Sequence, residues 1–178
     1  MSLILPNVQQ QIDSHIYQTL ISRWGKDAPG DNWKPANQDR AKNKYAIVRE
    51  YRTIQPEELV KQLKGQTHSK LGVMVLGNTR VIHTPTDIMG KKYQSRLETT
   101  LYTCALNYKQ AQLGGERIVY QMNADFGAAL MEAPFEFNRL SLPFVLQSFE
   151  SEFANDDLDI QRNIALIPTS ALGLKSNS

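Results

Sequence analysis

The sequence is short of most features that announce a function. It has a single cysteine, Cys104, so neither an intramolecular disulfide nor a cysteine-built zinc site is available to it. Its three histidines, His15, His68 and His83, stand far apart, and none pairs at a metal-ligand spacing with another or with Asp87 or Glu98. No apolar run approaches the roughly 18 residues of a membrane span. The opening MSLILPNVQQ lacks the basic residues and apolar stretch of a secretory leader. The expectation is a soluble, cytoplasmic protein with no membrane partner. Charge of one sign is missing too: 20 Lys and Arg against 18 Asp and Glu leave a formal +2, too little for a dedicated nucleic-acid binder.

The usual chemical signatures are equally thin. The glycines of PGDN, GNTR and LGGER have neither dinucleotide-binding nor P-loop spacing. Glu57 and Glu58 fall in the first turn of an expected helix, where the dipole favours carboxylates. Asp156 and Asp157 fall in an expected turn, where Asp is a turn former. Cys104 falls mid-strand, as a small buried hydrophobe rather than an activated nucleophile. We therefore expect no catalytic residue, no cofactor and no bound metal.

What the chain does have is clear periodicity. Residues 6–24 read as a helix: Val8, Ile12, Ile16 and Leu20 recur every four positions, and Tyr17, Ile21 and Trp24 widen the stripe. Pro6 suits its first turn and Gly25 its stop. Gln9, Gln10, Asp13, Ser14 and Gln18 are assigned to the solvent face. Residues 25–44 read as a long polar loop. YAIVREYRTI (45–54) reads as a strand and QPEELVKQLKG (55–65) as a short helix. KLGVMVLGN (70–78) is a short apolar strand, and 79–95 an irregular connection in which Val81 and Ile82 are candidates to extend a hairpin. Residues 96–108 form a long strand, apolar on both faces and hence central. A second main helix over 116–131 carries Val119, Met122, Phe126 and Leu130, and ends before Pro134. SLPFVLQSFESEF (141–153) reads as one strand with Val145, Phe149 and Phe153 on one side. IQRNIALIPT (160–169) reads as the last, with Ile160, Ile164 and Leu166 together. Residues 171–178 are expected to be a mobile tail. This order predicts one α+β domain over 1–178: a mostly antiparallel sheet with two main helices packed on one face, plus a short extra helix in a loop-rich insertion at 25–65.

One charge pattern stands out. Lys34, Arg40, Lys42, Lys44, Arg49 and Arg52 are interleaved with Trp33, Tyr45 and Tyr51, and Lys91, Lys92 and Arg96 make a second small patch. Basic side chains among aromatics suit nucleic acid or an acidic protein surface. A loop ordered against a neighbouring subunit would use the same residues, because aromatics and Arg anchor interfaces.

The long strand RLETTLYTCALNY, the loop after it, the helix ERIVYQMNADFGAALMEA and the closing strands, preceded by one helix and further strands, resemble the tail-terminator or tail-completion proteins of long-tailed bacteriophages. The resemblance is strongest to the group of Mu-like contractile tails and related contractile injection systems, and spans roughly 6–168. It implies a structural virion protein, assembled in the host cytoplasm and located in the tail or neck. It implies a homo-oligomeric ring, usually a hexamer, that caps the tail tube, ends tube and sheath polymerisation, and joins tail to head. The implied partners are further copies of the chain, the tail tube protein, the sheath protein, neck or head-connector proteins, and DNA passing transiently through the lumen. Under this resemblance Trp33, Tyr45, Tyr51, Arg96 and Tyr102 are candidate subunit or partner contacts. Lys34, Arg40, Lys42, Lys44, Lys91 and Lys92 are candidates for the DNA-facing lining. Another neck or baseplate component, or a small nucleic-acid-binding domain using residues 33–52, remains the alternative. The two classes separate by charge: Lys42→Glu with Lys44→Glu is expected to abolish DNA retention in a nucleic-acid-binding domain, whereas the mass of a ring would stay unchanged.

Overall fold

A computed structural model describes residues 4–24, 45–49, 72–106, 117–150 and 157–172. Helix α1 (Ile4–Trp24) is followed by β1 (Tyr45–Arg49), β2 (Gly72–Pro85), β3 (Tyr93–Leu106), α2 (Ile118–Met131), β4 (Phe135–Phe137), β5 (Leu140–Leu142), β6 (Val145–Glu150) and β7 (Leu158–Pro168). A 3-10 turn, Thr169–Leu172, follows. Five strands form one sheet in the order β1-β2-β3-β7-β6, and β4 and β5 form a separate hairpin. Only β1 and β2 run parallel; every other pair is antiparallel. The fold is α+β with a mostly antiparallel sheet, and β3 lies at its centre, where apolar residues on both faces place a strand.

Both helices pack on one face. Val8, Ile12, Ile16, Leu20 and Trp24 of α1 are buried, as are Ile118, Val119, Met122, Phe126, Ala129 and Leu130 of α2. They meet Tyr45, Ile47, Met74, Leu76, Leu97, Leu101, Ala105, Ala165 and Ile167 from the sheet, with Phe135, Leu142, Phe144 and Leu172 closing the rim. The i, i+4 stripe of α1 alone removes five large side chains from water, each worth about 1.5–3 kcal/mol. A second cluster, Val73, Val75, Cys104, Leu106, Leu158 and Ile160, lies on the opposite face at one end of the sheet. Cys104 is fully buried there, and burial pushes its thiol pKa well up. It is therefore a packing residue, as its mid-strand position suggests.

Several sequence expectations shift. β2 does not stop at residue 78. It continues to Pro85, and the segment expected to be irregular is a hairpin paired from Thr79↔Thr99 to Pro85↔Tyr93. A bulge between Leu76 and Thr79 breaks the apolar alternation, and this break hid the continuation. Residues 141–153 are not one strand. β4 and β5 pair through Asn138 and Arg139, both at positive φ (48° and 65°), the conformation of a tight two-residue hairpin. Arg139 replaces the glycine that would have marked it. Val145 and Phe149 share one side of β6, and Ile160, Ile164 and Leu166 share one side of β7, as their spacing suggests; both sides face away from the helices. Val145 and Phe149 are exposed, and Ala165 and Ile167 are the β7 residues that meet the helices. Leu172, expected in the mobile tail, is buried against the core. The expected loop at 25–44, the short helix at 55–65, Phe153 and residues 173–178 lie outside the described residues.

Gly72 begins β2 where α2 crosses the sheet. A β-carbon there would lie 2.6 Å from the carbonyl oxygen of Cys104 and 2.6 Å from Sδ of Met122. The Met122 side chain can move, but the backbone of β3 is held by its ladder. Gly72→Ala is expected to destabilise the chain by about 1–3 kcal/mol, read as a lower urea midpoint with an unchanged denaturation slope.

Candidate subunit interface

The longest feature is the β2–β3 hairpin. β7 pairs with β3 only as far as Arg96↔Pro168. Beyond it, His83↔Ser95, Thr84↔Gln94 and Pro85↔Tyr93 continue as a two-stranded arm, about 10 Å of strand before the turn. The turn is built rather than slack. Thr86 donates its N–H to the Lys92 carbonyl at 2.8 Å, and Gly90 to the Asp87 carbonyl at 3.2 Å. Oδ1 of Asp87 accepts the backbone N–H groups of Lys91 (2.8 Å) and Lys92 (3.2 Å). Gly90 takes the left-handed conformation the turn needs, at φ 65°. The result points apolar groups outward: Ile88 is wholly exposed, Met89 73 % exposed and Tyr93 62 % exposed.

The root of the arm is held by α1. Oδ1 of Asp13 accepts both the backbone N–H of Thr79, at 2.7 Å, and its hydroxyl. The Thr79 hydroxyl also lies 2.7 Å from that of Thr99. Gln9 donates Nε2–H to the Thr79 carbonyl at 3.1 Å. These contacts sit at the bulge, four residues before His83, where β2 leaves the sheet as the two-stranded arm. Asp13 is buried and Gln9 half-buried, which corrects their assignment to the solvent face.

Two other surfaces are open. On the sheet face away from the helices, Val145 and Phe149 of the edge strand β6 are exposed, and the Arg162 guanidinium lies 5.1 Å from the Phe149 ring centre. On the helical side, every fully exposed α1 side chain from Asn7 onward is uncharged: Asn7, Gln10, Gln11, Ser14, Gln18 and Ser22. Asn7, Gln10, Gln11, Ser14 and Gln18, with His15, Phe135 and Glu136, border a shallow groove of about 510 Å³ between α1 and β4. His15 spans its floor, with Nε2 2.7 Å from the Ala133 carbonyl and its ring against Phe135 and Phe144.

Under α2 the sheet carries a row of buried polar groups. Asn123 accepts from the Thr103 hydroxyl at 2.7 Å and donates to Gln161 at 3.1 Å. Asn163 donates to Asn123 at 3.0 Å and accepts from the Ser148 hydroxyl at 2.6 Å. Arg117 closes the row. It pairs with Asp159 and with Glu150, and lies 4.5 Å over the Tyr120 ring. The hydrogen bond from Arg117 holds the Glu150 carboxyl below its ordinary value, and the bonds to Asp159 and then Glu150 raise the Arg117 guanidinium. Matched donors and acceptors of this kind fix the angle of α2 on the sheet.

Of the residues singled out from sequence, Trp33, Lys34, Arg40, Lys42, Lys44 and Tyr51 lie outside the described residues. Tyr45 is a correction. It is completely buried, its hydroxyl donates to Asp125 at 2.5 Å, and its ring meets Trp24 edge-on at 5.2 Å. It is a core residue, and desolvation raises its phenol pKa. Tyr102 is half-buried against the second cluster, so its ring is largely taken up within the chain. Arg96 stands at the arm's root, bonded to Glu98 and to the Thr84 hydroxyl at 2.6 Å. Lys91 and Lys92 sit at the arm's tip and are exposed. Among the described residues no group of three or more His, Cys, Asp or Glu is placed to hold a metal ion. No described helix is long and apolar enough to cross a membrane. Sequence reasoning missed Ile88, Met89 and the uncharged face of α1. The signal for the first was a Thr-Asp-Ile-Met-Gly turn with apolar residues at its apex; for the second, a helix face of Asn, Gln and Ser without Lys or Glu.

Comparison with models of known protein families gives no match to this chain, and comparison with curated proteins gives none.

The Arg117–Glu150 pair carries a pH signature. Because Glu150 titrates below its ordinary value near 4.5 in the folded chain, its contribution is complete above that value. It is lost as pH falls through the lowered one. Glu150→Gln is therefore expected to be less stable than the native chain at neutral pH, and the gap should close in acid. Urea denaturation across the acid range measures this.

Proposed function

We propose that this chain is a structural assembly subunit that closes into a homo-oligomeric ring on the end of a tail tube in a phage-like contractile particle. There it ends tube growth and offers a docking surface to sheath and neck proteins. The observation that carries this is the arm: a hairpin anchored at its root by a buried carboxylate and ending in a structured turn that holds Ile88 and Met89 in water. Exposed apolar side chains on a built projection favour association, because burial against another surface recovers the hydrophobic free energy. A projection on one part of a subunit and its receptor on another give a heterologous contact, which closes into a ring when the rotation is a whole fraction of a turn.

The supporting features are mechanical rather than chemical. Arm, sheet and α1 are tied by side-chain hydrogen bonds, so force on the arm reaches the core. The open face of the sheet and the edge strand β6 leave surface for a second type of neighbour. The proposal assigns no catalytic residue, and it places the protein in the tail or neck of an assembled particle.

The test is the mass of the purified full-length chain across a concentration series, alone and with polymerised tail-tube protein of a contractile particle, with negative-stain images of both. Rings, or caps at one tube end, that persist as salt rises are the expected result. A monomer that ignores tubes and binds duplex DNA with a steep loss of affinity in salt would end the proposal in favour of a nucleic-acid-binding domain.

A further inference from the structure

We infer that the tip of the β2–β3 arm seats in the groove between α1 and β4 of a second copy of this chain. The inference rests on the ring proposed above and specifies its contact. Both halves of the match are present in one subunit. The tip offers Ile88 and Met89 flanked by Lys91 and Lys92. The groove offers Phe135 on its floor, the amides of Gln10, Gln11 and Gln18 on its wall, and Glu136, exposed at its edge and without an ion-pair partner among the described residues.

Charge decides between this groove and the open sheet face. The open face carries Arg80 of β2, Arg96 of β3 and Arg162 of β7, spread along the side of the sheet away from the helices. Against these, only Glu98 of the same face of β3 stands, and it is already bonded to Arg96. A tip with two lysines is repelled there and attracted to Glu136. The composition of the groove points the same way. A helix face meant for solvent is ordinarily studded with Lys and Glu, which are costly to desolvate. Gln, Asn and Ser lose far less on burial and still exchange hydrogen bonds with an arriving backbone. The exposed ends of the turn peptides can supply those bonds.

Size explains why the contact acts in a ring. A hairpin tip covers less than the roughly 800 Å² per partner of a stable isolated interface. A single contact is therefore weak, but each subunit of a closed ring makes two of them. The pairing also moves Lys91 and Lys92 from the ring's lining to the contact between subunits.

Charge reversal tests the pairing in the full-length chain. Glu136→Lys alone, and Lys91→Glu with Lys92→Glu, are each expected to lower the self-association constant in sedimentation equilibrium by about tenfold. Combining them should restore most of the loss, since the two sites couple only if they touch. A second measurement does not depend on affinity. Cys104 is buried, so chains carrying Met89→Cys and chains carrying Gln11→Cys each expose one new thiol. On mild oxidation, their mixture should give a cross-linked heterodimer that a Met89→Cys and Val145→Cys mixture does not. Rings that form normally with no rescue, or a cross-link to Val145→Cys in place of Gln11→Cys, would overturn this contact and leave the ring standing. A chain that stays monomeric at every concentration and gives no Gln11→Cys cross-link would overturn both.

Discussion

A single buried carboxylate holds the working parts of this molecule together. Asp13 reaches from α1 to Thr79, at the bulge in the stretch of β2 that leads on to the arm. A bulge interrupts the ladder and would be a natural hinge. Here the backbone N–H is taken by Asp13, the carbonyl by Gln9, and the hydroxyl is shared with Thr99. Without these bonds β2 would be held at the bulge by its ladder to β3 alone. With them its direction is set by the first helix, and the helix in turn is set by the stripe from Val8 to Trp24.

The sheet divides its labour across two faces and along its length. Toward the helices it is apolar beneath both, with a row of polar groups added beneath α2. There Asn123, Gln161 and Asn163 add a connected set of hydrogen bonds beside the apolar contacts of α2. Such a set adds little net stability, but it tolerates only one registration of helix on sheet. Toward the other side, a buried cluster at one end gives way to exposed Val145 and Phe149 at the edge. A rigid scaffold with its apolar groups displayed at an arm tip and an edge strand suits a protein whose work is to fit against others.

The legible parts of the sequence were those governed by local repetition. The stripes of α1 and α2, the central position of β3 and the buried Cys104 follow from spacing and from apolar residues on both sides of a strand. The parts that misled share one cause: a residue whose environment is supplied from far along the chain. Tyr45 reads as an aromatic among basic residues, an interface anchor, yet its partner Asp125 is 80 positions away. Val145 and Phe149 read only as one side of a strand, and the sequence did not say that this side faces away from both described helices. The β4–β5 hairpin was unreadable because Arg139 occupies a left-handed position that sequence rules reserve for glycine or asparagine.

The sequence by itself determined the two helices, the strand-rich remainder and hence the α+β class, because periodicity of 3.6 or 2 is a property of neighbours a few positions apart. It also determined that one cysteine and three scattered histidines build no cysteine-based site. Only the tertiary structure decided which way each strand faces, that Asp13 is buried rather than solvated, and that residues 79–95 form an arm instead of a loop. Those outcomes depend on partners such as Thr79 for Asp13, 66 positions apart. At that separation the chain's local pattern carries no information, and the free energy of burial and hydrogen bonding alone makes the choice.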